Sequence, residues 1–189
     1  LIRLQRNRIL VNISILTLFP DLYREFLSTS LIGRAQARKL VNIELTNLFS
    51  FCKPNQRIDS PTFGHSAGMI LRPEVVESAI VQQEATHGKA LKIFFSSQGE
   101  KLGQSPLKKL HHLASERKHL LLFASRYEGV DARVEQEFAD VVLSVGDFVL
   151  MGGDLPCMML LEGLLRYLPG VVGNAESVRE DSFSGPFVD

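Results

Sequence analysis

Three short segments concentrate the residues that could do chemistry. "SSQGEKLG" (96–103), "SRYEGVD" (125–131) and "SVGDFVLMGGDLP" (144–156) mix glycine with serine, tyrosine and carboxylates. In the third, Gly146-Asp147 and Gly152-Gly153-Asp154 bracket the apolar Phe148-Val149-Leu150. Glycine weakens the interior of a strand or helix, so such a cluster implies special dihedrals or a group packed close to the main chain. The chemistry is not that of a polyphosphate site. There is no GxGxxG and no GxxxxGK[ST], and no GxSxG elbow or HExxH. A planar, adenine-like ligand suits the cradle better: Phe148 and Leu150 can cover its faces, and freed backbone N–H and C=O groups can read its edges.

Elements of alternating type must hold these segments. "VNISILTLF" (11–19), "VNIELTNLF" (41–49), "ALKIFF" (90–95), "HLLLFAS" (119–125) and "DVVLSV" (140–145) read as strands. Helical spacing is predicted over 21–39, where Gly33 is the expected interruption, and over 73–85, 105–115, 131–139 and 155–168. The polar run from 50 to 69 is long for a structureless connection, which points to a functional loop. This order predicts an α/β fold, a parallel sheet flanked by helices on both faces. Each of the three segments follows a strand, and ligands of open α/β sheets sit outside the carboxyl ends of the strands. The three loops are therefore expected to form one pocket.

Composition narrows the class. The 189 residues are 45% apolar and 22% charged, with 21 basic and 21 acidic side chains. Such a chain buries a real core. Zero net charge argues against gripping nucleic acid by bulk charge and leaves a local basic site open. Cys52 and Cys157 have no metal-type spacing, so a reduced, cytoplasmic protein is the simpler reading. His111 and His112 share a helix with Lys108 and Lys109 and read as a solvated face. No apolar run reaches the ~18 residues of a membrane helix. Arg3, Arg6 and Arg8 precede the first acid at Asp21, as in a transit peptide, but the segment is short and serine-poor, and a solvated extension over 1–10 is favoured.

Taken in order, "RYEGVD" (126–131), "SVGDFVLMGGDLP" (144–156), "RYLPGVVG" (166–173) and "EDSFSG" (180–185) closely resemble the bacterial tRNA (guanine-N1)-methyltransferase family, the TrmD type of the SPOUT superfamily. "LFPDLY" (18–23), "LIGRA" (31–35) and "RIDSPTFGHSAGM" (57–69) resemble it too. The resemblance implies a C-terminal trefoil knot, an exception to unknotted topology. It also implies bound S-adenosylmethionine, a tRNA substrate, and a homodimer whose active sites are shared across subunits. The methylated atom would be N1 of the guanosine at position 37, next to the anticodon. Cofactor contacts would come from Phe94, Phe95, Ser125, Glu128, Val145, Gly146, Asp147, Phe148, Val149, Leu150, Gly152 and Pro156. Asp181 would be the general base and Arg166 the cation near O6, with Glu128 a candidate for recruiting magnesium.

The resemblance divides the chain into a knotted domain over 11–168 and a linker over 169–189 carrying Asp181. The small helical C-terminal domain of family members is expected to be absent. Two departures stand out. Gly64-His65-Ser66-Ala67-Gly68-Met69 replaces a Gly-Gly-Gly-Pro-Gly-Met run, putting Cβ atoms where positive φ is costly. Ser125 replaces a glycine. Blander roles stay open at this point: Asp181 as a helix cap or solvated charge, Arg166 snorkelling at a helix end, and Glu128 paired with Arg126. Two other functions also stay open, a ribose 2′-O-methyltransferase of the same superfamily and a non-catalytic RNA-binding or dimerisation module.

Overall fold

The computed structural model describes residues 11–62 and 68–173. Five strands form one sheet: β1 (Val11–Thr17), β2 (Val41–Asn47), β5 (Leu91–Lys101), β6 (His119–Phe123) and β7 (Val141–Ser144). Their order is β2-β1-β6-β5-β7, and every neighbouring pair is parallel. Two further short strands, β3 (Asp59–Pro61) and β4 (Met69–Leu71), pair antiparallel. The polar run from 50 to 69 is thus partly ordered as a ribbon.

The period-2 alternation of the strands divides the core into two layers. Ile13, Ile15, Ile93, Leu120 and Leu122 face one side. Leu16, Phe94, Leu121 and Phe123 face the other. The first face is covered by α1 (Arg24–Ser28), α2 (Ser30–Ala37), α4 (Gln104–Arg117) and α6 (Asp154–Leu165). The second is covered by α3 (Pro73–His87) and α5 (Ala132–Phe138). Such two-sided cover is what a parallel sheet requires. In α6, Cys157, Leu160, Leu161, Leu164 and Leu165 are all buried, at the spacing of one helix face.

Two expectations are corrected. The helical stretch over 21–39 does not break at Gly33, which lies inside α2. It breaks at Thr29, which is extended, and at Ser30, whose φ is 51°. The Thr29 hydroxyl donates to the Glu25 carbonyl at 2.7 Å and caps the first piece. Gly33 is instead a close-approach position, because an added Cβ would meet the Ser28 carbonyl. Strand β5 also does not end at Phe95. Phe95 and Glu100 both register with Leu143, so residues 96–99 form a bulge and the strand resumes beyond it. A bulge of this kind re-aims side chains beside a site.

The last residue of "RYEGVD" acts locally as a helix cap. Asp131 is the N-cap of α5, and its carboxylate accepts from the Arg133 backbone N–H at 2.9 Å and from the Arg133 guanidinium. These Arg133 hydrogen bonds, side chain first, lower its pKa from 3.8 to about 2. Replacing a cap of this type by Ala costs about 1 kcal/mol. Because the folded-state value lies below the unfolded one, the contribution is complete above about pH 4 and is lost as pH falls through about 2. Asp131→Ala should therefore lower stability by about 1 kcal/mol at pH 7, and the gap to wild type should close in acid. Urea melts at both pH values check this.

Candidate functional site: a cleft at the carboxyl ends of the strands

The three segments do meet. They enclose a cleft of about 270 Å³ at the bulge of β5 and beyond the ends of β6 and β7. The middle of β5, at its bulge, contributes Phe94, Phe95, Ser96 and Ser97; the segment after β6 contributes Ser125, Tyr127 and Glu128; the segment after β7 contributes Val145 to Leu150 without Asp147, then Gly152, Gly153 and Pro156. Every residue expected at the cofactor lines this cleft except Asp147. The Asp147 side chain turns outward and pairs with Lys101 at 2.5 Å, both being exposed. Its partner lies on the resumed part of β5, and the missing Cβ of Gly146 leaves room for the Phe148 ring.

The glycines hold the walls together. Gly153 N–H donates to the Ser125 carbonyl at 2.8 Å, and Gly152 bridges Arg126. A Cβ on Gly152 would lie 2.5 Å from Arg126 Cδ and 2.9 Å from the Ser125 carbonyl oxygen. Only glycine permits that approach. On the opposite flank, Glu128 N–H donates to the Met69 carbonyl at 3.0 Å and Leu71 N–H to the Gly129 carbonyl at 2.9 Å. Strand β4 is thereby joined to the cleft wall, and Gly68 faces the Glu128 side chain. His65, Ser66 and the rest of residues 63–67 lie outside the described residues.

Charge in the cleft is one-sided. Glu128 and Glu135 line it, with no Lys, Arg or His among the described lining residues. A nucleotide phosphate would meet repulsion there, whereas a neutral or cationic ligand would not. The arrangement also settles the partner of Arg126. Its guanidinium does not pair with Glu128; it pairs with the buried Asp154 at 2.5 Å. Sequence reasoning missed Tyr127 as a lining residue. It holds a left-handed φ of 59° and is exposed at the cleft, a conformation that costs of order 1 kcal/mol and collects at functional sites. Its place between Arg126 and Glu128 in the motif was the available signal.

Of the two residues expected to act on the substrate, the one that is described, Arg166, does not line this cleft. Arg166 is exposed and sits at the far end of α6. It stands twelve positions beyond Asp154, which is roughly 18 Å of helix. Asp181 lies outside the described residues. Among the described residues no group of three or more His, Cys, Asp or Glu gathers to hold a metal, and no helix is long and apolar enough to cross a membrane. Cys52 and Cys157 are both free thiols, and burial raises the Cys157 pKa well above its usual value.

Fold and cleft together define a parallel α/β protein with a cleft at the carboxyl end of its sheet whose described lining carries carboxylates and no cation. Comparison with known proteins makes this specific. Residues 11–189 match the family described as tRNA (Guanine-1)-methyltransferase TrmD, and the chain belongs to that family. It is 37% identical over 174 residues to the tRNA (guanine-N(1)-)-methyltransferase of Wolbachia pipientis from Culex pipiens, covering 92% of this chain and 73% of that one. It is 38% identical over 177 residues to the Thermus thermophilus enzyme of the same name, covering 93% and 71%. The crystal structure of tRNA (m1G37) methyltransferase from Aquifex aeolicus superposes with a TM-score of 0.78 at 28% identity, over 87% of this chain and 72% of that one.

Proposed function

We propose that this chain methylates N1 of guanosine at position 37 of tRNA, using S-adenosylmethionine bound in the cleft. The observation that carries the reading is the cleft's chemistry: apolar faces from Phe148 and Leu150, glycine-lined backbone, and carboxylates without a cation. These residues fit an adenosine that bears a sulfonium. Bound there, S-adenosylmethionine supplies an electrophilic methyl group. Backbone around Gly152 and Gly153 would hold the adenosine, and the carboxylates of Glu128 and Glu135 would complement positive charge. Glu128 is the carboxylate that would recruit magnesium. Family membership and the likeness to the Aquifex aeolicus structure support a trefoil-knotted C-terminal half.

The substrate half is assigned to Arg166 and Asp181. N1 of guanosine carries a proton and attacks only as that proton leaves. Asp181 takes it, and Arg166 stabilises charge developing on O6. An Asp of ordinary pKa, about 3.9, is a weak base for this task. Charge stabilisation at O6 in a site poor in water narrows the mismatch.

Arg166 cannot reach the cleft of its own chain across roughly 18 Å of helix. A second copy would supply it. Val149 and Met151 are 89% and 90% exposed, and Leu155 and Met159, one turn apart on α6, are more than half and half exposed. An apolar face of this kind suits a homodimer. Mixing chains tests the arrangement. Gly152→Val and Arg166→Ala proteins, each inactive alone, should recover activity together, since one site per mixed dimer combines an intact cleft with an intact Arg166; random pairing in a two-fold dimer gives about a quarter of wild-type activity. No recovery, with mixed dimers demonstrated, would place Arg166 and the cleft in the same chain. Mass spectrometry of nucleosides from unmodified tRNA tests the reaction itself: 1-methylguanosine supports it, and a 2′-O-methylated product would replace it.

A further inference from the structure

We infer that Asp154 is a positioning residue for the cofactor cleft: its buried carboxylate locks Arg126 behind the cleft wall and so sets the spacing between the Ser125 and Gly152-Gly153 walls. This rests on the cofactor reading of the cleft proposed above. Asp154 is 2% exposed and does not itself line the cleft. Both of its oxygens are engaged. One accepts from the Thr17 hydroxyl at 2.6 Å and from the Tyr23 phenol at 3.0 Å. The other accepts from Arg126 Nε at 2.7 Å and takes the ion-pair contact from Nη2 at 2.5 Å.

Four segments are tied at this one group: the end of β1, the turn over Pro20–Tyr23, the segment after β6 and the start of α6. The donors are themselves fixed. Thr17 Oγ1 accepts from Phe19 N–H at 3.0 Å, and the Phe19 ring lies 4.8 Å from the Arg126 guanidinium carbon. Burial, with Cys157 and Asp154 beside it, raises the Tyr23 pKa far above its usual value, so the phenol stays a donor. The Arg126 stem packs on Gly152, while the adjoining Ser125 and Tyr127 line the cleft. An Arg freed from Asp154 would no longer fix either wall, and a buried charge that loses its partner is strongly unfavourable.

The consequence separates from simple loss of stability. A variant that is only less stable has fewer active molecules, so apparent kcat falls and KM stays. A variant with a misplaced wall binds cofactor weakly, so KM rises. Asp154→Asn keeps the shape and the acceptor toward Thr17 and Tyr23 but loses the charge opposite Arg126. We expect KM for S-adenosylmethionine to rise at least tenfold, and the calorimetric Kd with it, by more than kcat changes, in protein shown to be folded by circular dichroism. Arg126→Gln should cause a similar loss. The double variant Asp154→Asn/Arg126→Gln, with a neutral amide pair, should lose far less than the product of the two single losses, because coupled residues are not additive. A Kd within twofold of wild type in folded Asp154→Asn, or losses that multiply in the double variant, would overturn the assignment. If Asp154→Asn does not fold, Arg126→Gln alone decides on the same Kd criterion. Wild-type protein that binds no S-adenosylmethionine would instead refute the cofactor reading.

Discussion

Asp181→Asn should cut the single-turnover rate of methyl transfer to tRNA by about 10²–10⁴-fold, the range general-base catalysis supplies, and leave cofactor affinity within about twofold, well under the tenfold step that 1.4 kcal/mol represents. The amide has nearly the shape of the carboxylate, so contacts that depend on shape survive. What it cannot do is accept the N1 proton. The motivation is the match of "EDSFSG" at 180–185 to the family pattern, combined with a cleft whose described residues include no His or Lys to serve as base. Glu128 and Glu135 do lie in the cleft, and either would be the next candidate. Single-turnover measurement matters because product release can hide a chemical defect. A near-wild-type rate in Asp181→Asn would move the base to one of those glutamates. Calorimetry on the same protein separates loss of chemistry from loss of binding.

Gly152→Val should raise the Kd for S-adenosylmethionine by two orders of magnitude or more, about 3 kcal/mol. The Cβ would stand 2.9 Å from a backbone oxygen at Ser125 and 2.5 Å from Arg126 Cδ. Neither can yield easily. The carbonyl already accepts from Gly153 N–H, and Arg126 is held by Asp154 and overlain by Phe19. The walls must therefore separate, and a branched methyl would project at a position that lines the cleft. Overpacking of this kind typically costs 1–3 kcal/mol of stability, against about 5–15 kcal/mol for a whole domain, so the variant should remain folded. Calorimetric titration alongside circular dichroism checks both halves. Unchanged affinity in folded Gly152→Val would mean that the cofactor binds elsewhere.

Much of this architecture was legible along the chain. The β-rich run "VNISILT", the continuous apolar run of the buried strand "HLLLF", the buried face of α6, and the placement of three glycine-bearing segments after strands are local properties. They depend on periods of two and 3.6 and on where glycine occurs, and these set which side chains can share a face. From them followed the parallel α/β class and the expectation of one cleft at the carboxyl ends of the strands. The motif residues then pointed to the family and to most of the cleft lining.

Tertiary structure decided the partners. Arg126 stands two residues from Glu128 in sequence but pairs with Asp154, 28 residues away. Charge pairing follows distance and burial in space, and the Gly152-Gly153 approach that brings Asp154 under Arg126 exists only in the folded chain. Asp147 illustrates the same point in reverse, since its neighbours enter the cleft while it turns to Lys101. The helix breaks at Ser30, while Gly33 is where the Ser28 carbonyl leaves no room for a Cβ, a contact made only in the folded chain. The separation of Arg166 from the cleft came from the rigid length of α6. Sequence by itself determined the five sheet strands, most of the helices and the residue types offered at the cleft. Packing determined which of those residues touch, because contact depends on three-dimensional proximity that no chain period encodes.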